Sequence, residues 1–216
     1  MAEAVIRPYQ PTDRDAVYDV CLRTAAAGQD ATGLHDDPDV VADVFAGPYV
    51  HLEPDFAFVL DDGGRAVGYV LGAPDTARFA ADMREKWLPL VGAQHPDPVG
   101  RPAGPDQEYA YLLHHPERMV LPALADFPAH LHIDLLADYR RSGNGRRLIV
   151  TLLTALHDAG VPRVHLGMIN TNTRARAFYD RLGFTELAVP DAGVITYLGR
   201  STDVGRLSGD AARVPP

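Results

Sequence analysis

Cysteine, lysine and tryptophan each occur once in the 216 residues. A lone Cys21 excludes an intrachain disulfide and a thiolate metal cluster, and fits a reducing compartment. No 18-residue apolar stretch free of charge is present, so a membrane span is not expected. The opening MAEAVIRPYQPTDRDA lacks the basic start and apolar run of a signal peptide, and a cytoplasmic location is expected. Positive charge is also scarce. Twenty Lys and Arg face 29 Asp and Glu, a formal net charge of -9. Nucleic-acid binding needs a basic surface and is not expected. Apart from Lys86 the basic residues are all arginine, a bias read with the many Ala, Gly and Pro as compositional. No internal repeat is evident.

What is present is ordinary for a globular chain: 46% hydrophobic and 23% charged. VIRPY at 5–9 reads as a strand. Thr12 is placed to cap the following helix, whose apolar face holds Val17, Val20, Cys21 and Leu22. GQDATGLHDD at 28–37 is a polar break, and Pro38 suits the first turn of a helix reaching Phe45. FAFVL (56–60) and RAVGYVLG (65–72), split by DDGG, predict a hairpin. A long excursion over 75–128 carries helical segments at 76–90 and 106–114 around a Pro-rich stretch. HLHIDLL then reads as a strand, GRRLIVTLLTALHDAG as an amphipathic helix, RVHLGM as a strand and TRARAFYDRL as a helix. FTELAV and GVITYLG form a terminal antiparallel pair. The order implies one mixed α/β domain over residues 1–200, with helices covering a sheet and the insertion 75–128 inside it. Residues 201–216 read as a loose tail.

Two stretches carry chemistry. In HLHIDLL, residues two apart share a face, so His130, His132 and Asp134 line one side and Leu131, Ile133 and Leu135 the other. The apolar side belongs against a helix. The polar side reads as a cleft wall, a hydrogen-bonded structural stripe or, with three donors, a metal site. Asp134, nearest the following loop, is suited to accept a proton or orient an amine. Next comes Arg140-Arg141-Ser142-Gly143-Asn144-Gly145, opening a helix. Glycines permit close backbone approach, and the free amides of a helix start favour an anion. A pyrophosphate fits on the amides around 141–146, with Arg140, Arg141, Arg146 and Arg147 adding charge. The pattern is neither a P-loop nor a complete dinucleotide fingerprint. In the second stretch, NTNTRARAFYDRLGF at 170–184, Asn172, Ala175 and Tyr179 share one helix side.

Together the two stretches resemble the GCN5-related N-acetyltransferase (GNAT) superfamily. Arg140, Gly143 and Gly145 match its Gln/Arg-x-x-Gly-x-Gly/Ala acetyl-CoA signature. Asn172, Ala175, Phe178, Tyr179, Gly183 and Phe184 match its second signature. The order of elements extends the likeness over roughly 5–199. HLHIDLLADYRRSGNGRRL and the insertion before it are similar to the acetyltransferase-like domain of O-GlcNAc hydrolases. Some members of that group are said to lack acetyl-CoA binding, whereas this chain keeps the cradle glycines and the tyrosine. The proline that many family members carry at the position of Ala137 is absent.

The resemblance implies a splayed parallel pair of strands and an N-acetyltransferase that transfers acetyl from acetyl-CoA to a primary amine by direct attack in a ternary complex. The alternative is a non-catalytic pseudo-acetyltransferase that keeps CoA affinity. The implied cofactor residues are Leu135, Leu136, Arg140, Arg141, Ser142, Gly143, Asn144, Gly145, Arg146, Asn172, Ala175 and Phe178. An amide near Leu135 or Leu136 would serve the oxyanion, and Tyr179 would be the acid. Asp134 and then His132 are the candidate bases, with Glu108 and Glu53 in reserve. The insertion is expected to wall the acceptor site, with Trp87, Tyr109 and Tyr111 as candidates to line a pocket; the favoured alternative for Trp87 is to close the insertion's own small core. The acceptor is a small-molecule or peptide amine; neither nucleic acid nor membrane is expected as partner, and the chain is a monomer or homodimer.

Overall fold

The computed structural model describes residues 4–205. Its centre is a seven-stranded mixed sheet in the order β1-β2-β3-β4-β5-β7-β6. The strands are β1 (Val5–Pro8), β2 (Ala57–Asp62), β3 (Arg65–Ala73), β4 (Ala129–Leu135), β5 (Arg163–Ile169), β6 (Thr185–Leu187) and β7 (Ile195–Ser201). Every neighbouring pair is antiparallel except β4 and β5, which are parallel. The hairpin at DDGG forms as expected. Gly63 and Gly64 both take positive φ, 65° and 93°, which two-residue turns between twisted strands demand.

One sheet face is covered by α7 (Asn144–Asp158). Its Leu148, Ile149, Leu152, Leu153 and Leu156 are fully buried against Leu60, Val70, Leu131 and Val164. This is the 3.6-residue stripe visible in the sequence. The neighbouring α8 (Thr173–Arg181) adds Tyr179 to the same core. The other face is covered by α1 (Arg14–Leu22), α2 (Asp39–Phe45), α3 (Gly47–Leu52) and α4 (Thr76–Asp82), packed on Val59, Tyr69, Leu71 and Ala73.

The start of α1 differs from the Thr12 cap. A short turn at Pro11–Asp13 precedes the helix, and the Asp13 carboxylate accepts from the Gln10 amide at 2.8 Å. Arg7 holds that carboxylate at 2.6 and 2.8 Å, so an ion pair from β1 replaces the hydroxyl cap. The helix expected at 76–90 is α4, one π-turn at Met83–Trp87 and α5 (Leu88–Val91). Pro89 lacks an amide and suits a break in regular bonding. The second expected helix of the excursion is α6 (Pro105–His114).

Of the expected tail, Ser201 still belongs to β7. Thr202 is buried, its hydroxyl donating to the Val161 carbonyl at 2.6 Å. Residues 206–216 lie outside the described residues. Among the described residues no helix is long and apolar enough to cross a membrane.

Candidate active site

Strands β4 and β5 pair only at Ala129–Val164 and His130–His165, although both continue for several residues. Beyond that point the sheet is split. Which backbone groups face the split follows from the ladder with β3. The Leu136 amide donates to the Val67 carbonyl at 3.0 Å. Backbone groups alternate sides along a strand, so those of Leu131, Ile133 and Leu135 point away from β3 and into the split. Leu135 therefore presents its N–H there. Leu136 does not, which corrects the expectation that either could serve an oxyanion. Ile133, absent from the sequence reading, offers both an amide and a carbonyl to an extended ligand.

A cleft of about 780 Å³ fills the split, well within the range of ligand pockets. The split lets groups from both layers meet. Asp134 and His132 come from the side of α1–α3, and Tyr179 from the side of α7 and α8; all three line the cleft. Arg140, Arg141, Arg146, Arg174 and Arg181 line it as well, against the single carboxylate of Asp134. This local excess of positive charge opposes the formal -9 of the whole chain.

The cradle is built by its own loop. Gly143 caps α7 with φ 85°. The first intrahelical bond runs from the Arg147 amide to the Gly143 carbonyl at 3.1 Å. The amides of Asn144, Gly145 and Arg146 precede it and have no intrahelical acceptor. A Cβ on Gly145 would sit 3.2 Å from the Phe178 ring; glycine lets α7 and α8 approach at the cleft floor. The Asn144 side chain donates to the Tyr139 carbonyl and to Ser142 Oγ, at 3.2 and 2.9 Å, and Ser142 Oγ donates to the same carbonyl at 3.0 Å. From Ser142 and Asn144 it is the backbone that is left to meet a ligand.

Arg140 and Asn172 fasten a loop that the sequence reading did not single out. Arg140 donates through Nε to the Leu135 carbonyl and through Nη1 to the Gly28 carbonyl, both at 2.7 Å. Asn172 caps α8 by accepting from the Ala175 amide at 3.1 Å, and its Nδ2 donates to the Ala27 carbonyl at 3.3 Å. Ala25, Ala27, Gly28 and Gln29 thereby wall the cleft. The signal was the polar break around Gly28, whose φ is 84°; its partners lie more than a hundred residues away.

The insertion does not supply that wall. Trp87 is 6% exposed and donates through Nε1 to the Asp43 carbonyl at 2.8 Å. Its ring lies so close to Gly47 that a Cβ there would be 2.6 Å away. Tyr109 packs on Phe45 and His35, and Tyr111 on His115 and Arg118. None of the three lines the cleft. The insertion buries its aromatic residues in and around the α1–α4 core because apolar area gains most there. The reserve carboxylates are elsewhere too. Glu53 is buried in an ion pair with Arg78, and Glu108 is exposed on α6. Among the described residues no group of three or more His, Cys, Asp and Glu is arranged to hold a metal.

Two ionisations are strongly shaped. Burial pushes the Asp134 carboxyl up to about 6, against the opposing hydrogen bond of Tyr69 and the charge of Arg140. The Tyr69 hydroxyl donates to Asp134 Oδ2 at 2.8 Å. Tyr179 is raised above the ordinary phenol value by burial and then by the Asp134 charge. The ring is 9% exposed. Among the described residues no buried side-chain N or O lacks a partner, and nothing binds the Tyr179 hydroxyl. That hydroxyl therefore opens on the cleft.

A split parallel pair, a glycine cradle and a tyrosine facing one carboxylate are the features of an acyl-CoA transferase fold. The chain belongs to the acetyltransferase (GNAT) family, whose model matches residues 25–184. It is 29% identical over 202 residues to the protein O-GlcNAcase of Rattus norvegicus, covering 91% of this chain and 22% of that protein. The chain thus spans about a fifth of the length of such curated relatives. The crystal structure of SsHAT superposes with a TM-score of 0.90 and 59% identity, over 94% of this chain and all of that one. The fold is also shared with yncA of Salmonella typhimurium, a structure containing its cofactor acetyl-CoA, at 15% identity and a TM-score of 0.53, over 100% of this chain and 98% of that one.

Proposed function

We propose that this chain is an acetyl-CoA-dependent N-acetyltransferase acting on a primary amine by direct attack in a ternary complex. One observation carries the reading. The split in the sheet brings unpaired strand backbone, five arginines, a carboxylate and a tyrosine hydroxyl to a single cleft. The residues fit the cofactor. The amides of residues 144–146 and the surrounding arginines suit its phosphates, and the backbone of Ile133 and Leu135 suits an extended amide-bearing arm. The acetyl-CoA bound in yncA supports the same assignment. When bound, acetyl-CoA supplies an activated thioester.

The chain's own groups then divide the work. The Leu135 N–H faces the place where negative charge develops, and such donors contribute about 3 kcal/mol elsewhere. Asp134, with its carboxyl at about 6, is ionised at neutral pH yet basic enough to take the proton of an arriving ammonium at Oδ1 or Oδ2. The Tyr179 hydroxyl gives its proton to the departing thiolate or holds it by a hydrogen bond. Ala25, Ala27 and Gly28 confine the acceptor with small side chains.

A second reading, a non-catalytic module that keeps CoA affinity, is favoured by the engagement of Arg140, Asn144 and Asn172 with protein carbonyls. Tyr179→Phe separates the two. The enzyme reading expects near-normal acetyl-CoA affinity by calorimetry and roughly tenfold slower CoA release with an amine substrate. Equal rates across pH would remove Tyr179 as the acid. CoA release from no amine by a wild type that binds acetyl-CoA would establish the second reading.

A further inference from the structure

The base of the polar stripe on β4 holds a hydrogen-bond chain whose direction can be read from its end. Thr76 Oγ1 lies 2.8 Å from the Pro128 carbonyl, which can only accept. The one hydroxyl proton of Thr76 is thereby placed. Thr76 Oγ1 also lies 2.8 Å from His130 Nδ1, so there it must accept, and His130 carries its proton on Nδ1. His130 is 7% exposed and has no carboxylate partner. Burial, then the charges of His165 and His132, hold it well below the ordinary imidazole value. It is neutral, and its Nε2 is a bare acceptor.

Tyr49 Oη lies 2.7 Å from that nitrogen and donates to it. The Tyr49 proton is then placed as well. Its oxygen accepts from His132 Nε2 at 3.0 Å. His132 is also held down, to about 4, by burial and then by His165. A neutral His132 with its proton on Nε2 has a bare Nδ1. No protein group binds that Nδ1 among the described residues, no buried polar side-chain atom there is left unsatisfied, and His132 lines the cleft. The lone pair opens on the cleft, on the same strand face as Asp134.

We propose that His132 presents this Nδ1 lone pair to the acceptor amine, and that Tyr49, His130 and Thr76 are positioning residues that fix its tautomer. This rests on the acetyltransferase reading. A primary amine that has yielded a proton to Asp134 still carries N–H donors. One of them given to Nδ1 orients the nitrogen so that its own lone pair faces the thioester. His132 acts as a hydrogen-bond acceptor, and no proton changes hands. The arrangement selects an acceptor nitrogen that retains a donor to give, a condition that a neutral primary amine meets and a tertiary amine does not.

Two-bond 1H–15N correlation spectra of the full chain labelled with 15N-histidine, assigned with His130→Gln and His132→Gln, test the tautomers at neutral pH. The expected result is Nε2–H at His132 and Nδ1–H at His130. Nδ1–H at His132 would overturn the inference while leaving the acetyltransferase reading intact. The functional half is read with Tyr49→Phe, using whichever of putrescine, benzylamine and glucosamine the wild type acetylates fastest. A tenfold or greater fall in kcat/KM for the amine, with unchanged KM for acetyl-CoA and mixed tautomers at His132, supports the positioning role. Unchanged kcat/KM for the amine refutes it. Thr76→Val, which removes the fixed end of the chain, is expected to mix the tautomers of His130; a single unchanged tautomer there contradicts the chain. A wild type with the expected tautomers that acetylates none of the three amines contradicts the acetyltransferase reading and the catalytic half of this inference together.

Discussion

His130 and Asp134 share one face of one strand, yet their surroundings are opposite. At the closed end, where β4 and β5 still pair, both ring nitrogens of His130 are bonded and its neighbours are bonded in turn. At the open end, Asp134 has Tyr69 on one oxygen and faces the cleft. Pairing makes the first a structural residue; splaying makes the second available for chemistry. The same contrast runs through the molecule. The insertion, though rich in histidine and aromatic side chains, is folded onto the core, and the cleft is walled by a short loop of alanine and glycine.

The sharpest way to break this comparison is Asp134→Asn. It removes the ionisable group at the open end while keeping its shape. Turnover is expected to fall by roughly a thousandfold, and the acid limb of the pH–rate profile near pH 6 should vanish. An unchanged profile would take the base role away from Asp134. At the closed side of the comparison, Trp87→Ala is expected to lower unfolding free energy by about 3–5 kcal/mol, read by denaturant titration, with acetyl-CoA affinity unaltered. A selective loss of amine turnover in a fully stable variant would instead return the insertion to the acceptor wall.

A smaller effect is expected at the cradle. Gly143 holds φ 85°, and open space surrounds the position a Cβ would take. Gly143→Val therefore strains the backbone, by about 1–3 kcal/mol, rather than clashing. Acetyl-CoA affinity should fall about tenfold by calorimetry, with the fold kept by circular dichroism. The smallest effect concerns stability. The Asp134 carboxyl titrates higher in the folded chain than in an unfolded one, about 6 against 3.8. Its contribution is fully present below the unfolded value and is lost as pH rises through about 6. Asp134→Asn should thus gain stability over the wild type above that pH, and the gain should vanish near pH 4. A gain that grows toward acid pH would reverse the assignment.

What the sequence made legible was local. The alternation in HLHIDLL, the 3.6-residue stripe of α7 and the glycine punctuation at 63–64 and 143–145 are set within a few residues of chain. They placed the polar-faced strand, the hairpin, the covering helix and the cradle; the splaying of the strands and the part given to Tyr179 came from the family resemblance. What stayed hidden depends on distant pairings. Tyr49 meets His130 and His132 from more than 80 positions away. The Ala27–Gly28 wall is held by Arg140 and Asn172, and the Leu136 amide is claimed by β3. No periodicity encodes these contacts. Trp87 stayed open between pocket and core for a related reason, and the structure gives it the core: an aromatic residue in a long excursion serves either until its neighbours are known.

Calorimetric titration of the full chain with acetyl-CoA tests the central claim most directly. The split strands and their arginine-rimmed cradle predict micromolar binding at one site. Absence of binding up to millimolar acetyl-CoA would contradict the claim and leave the cleft without the ligand its geometry fits.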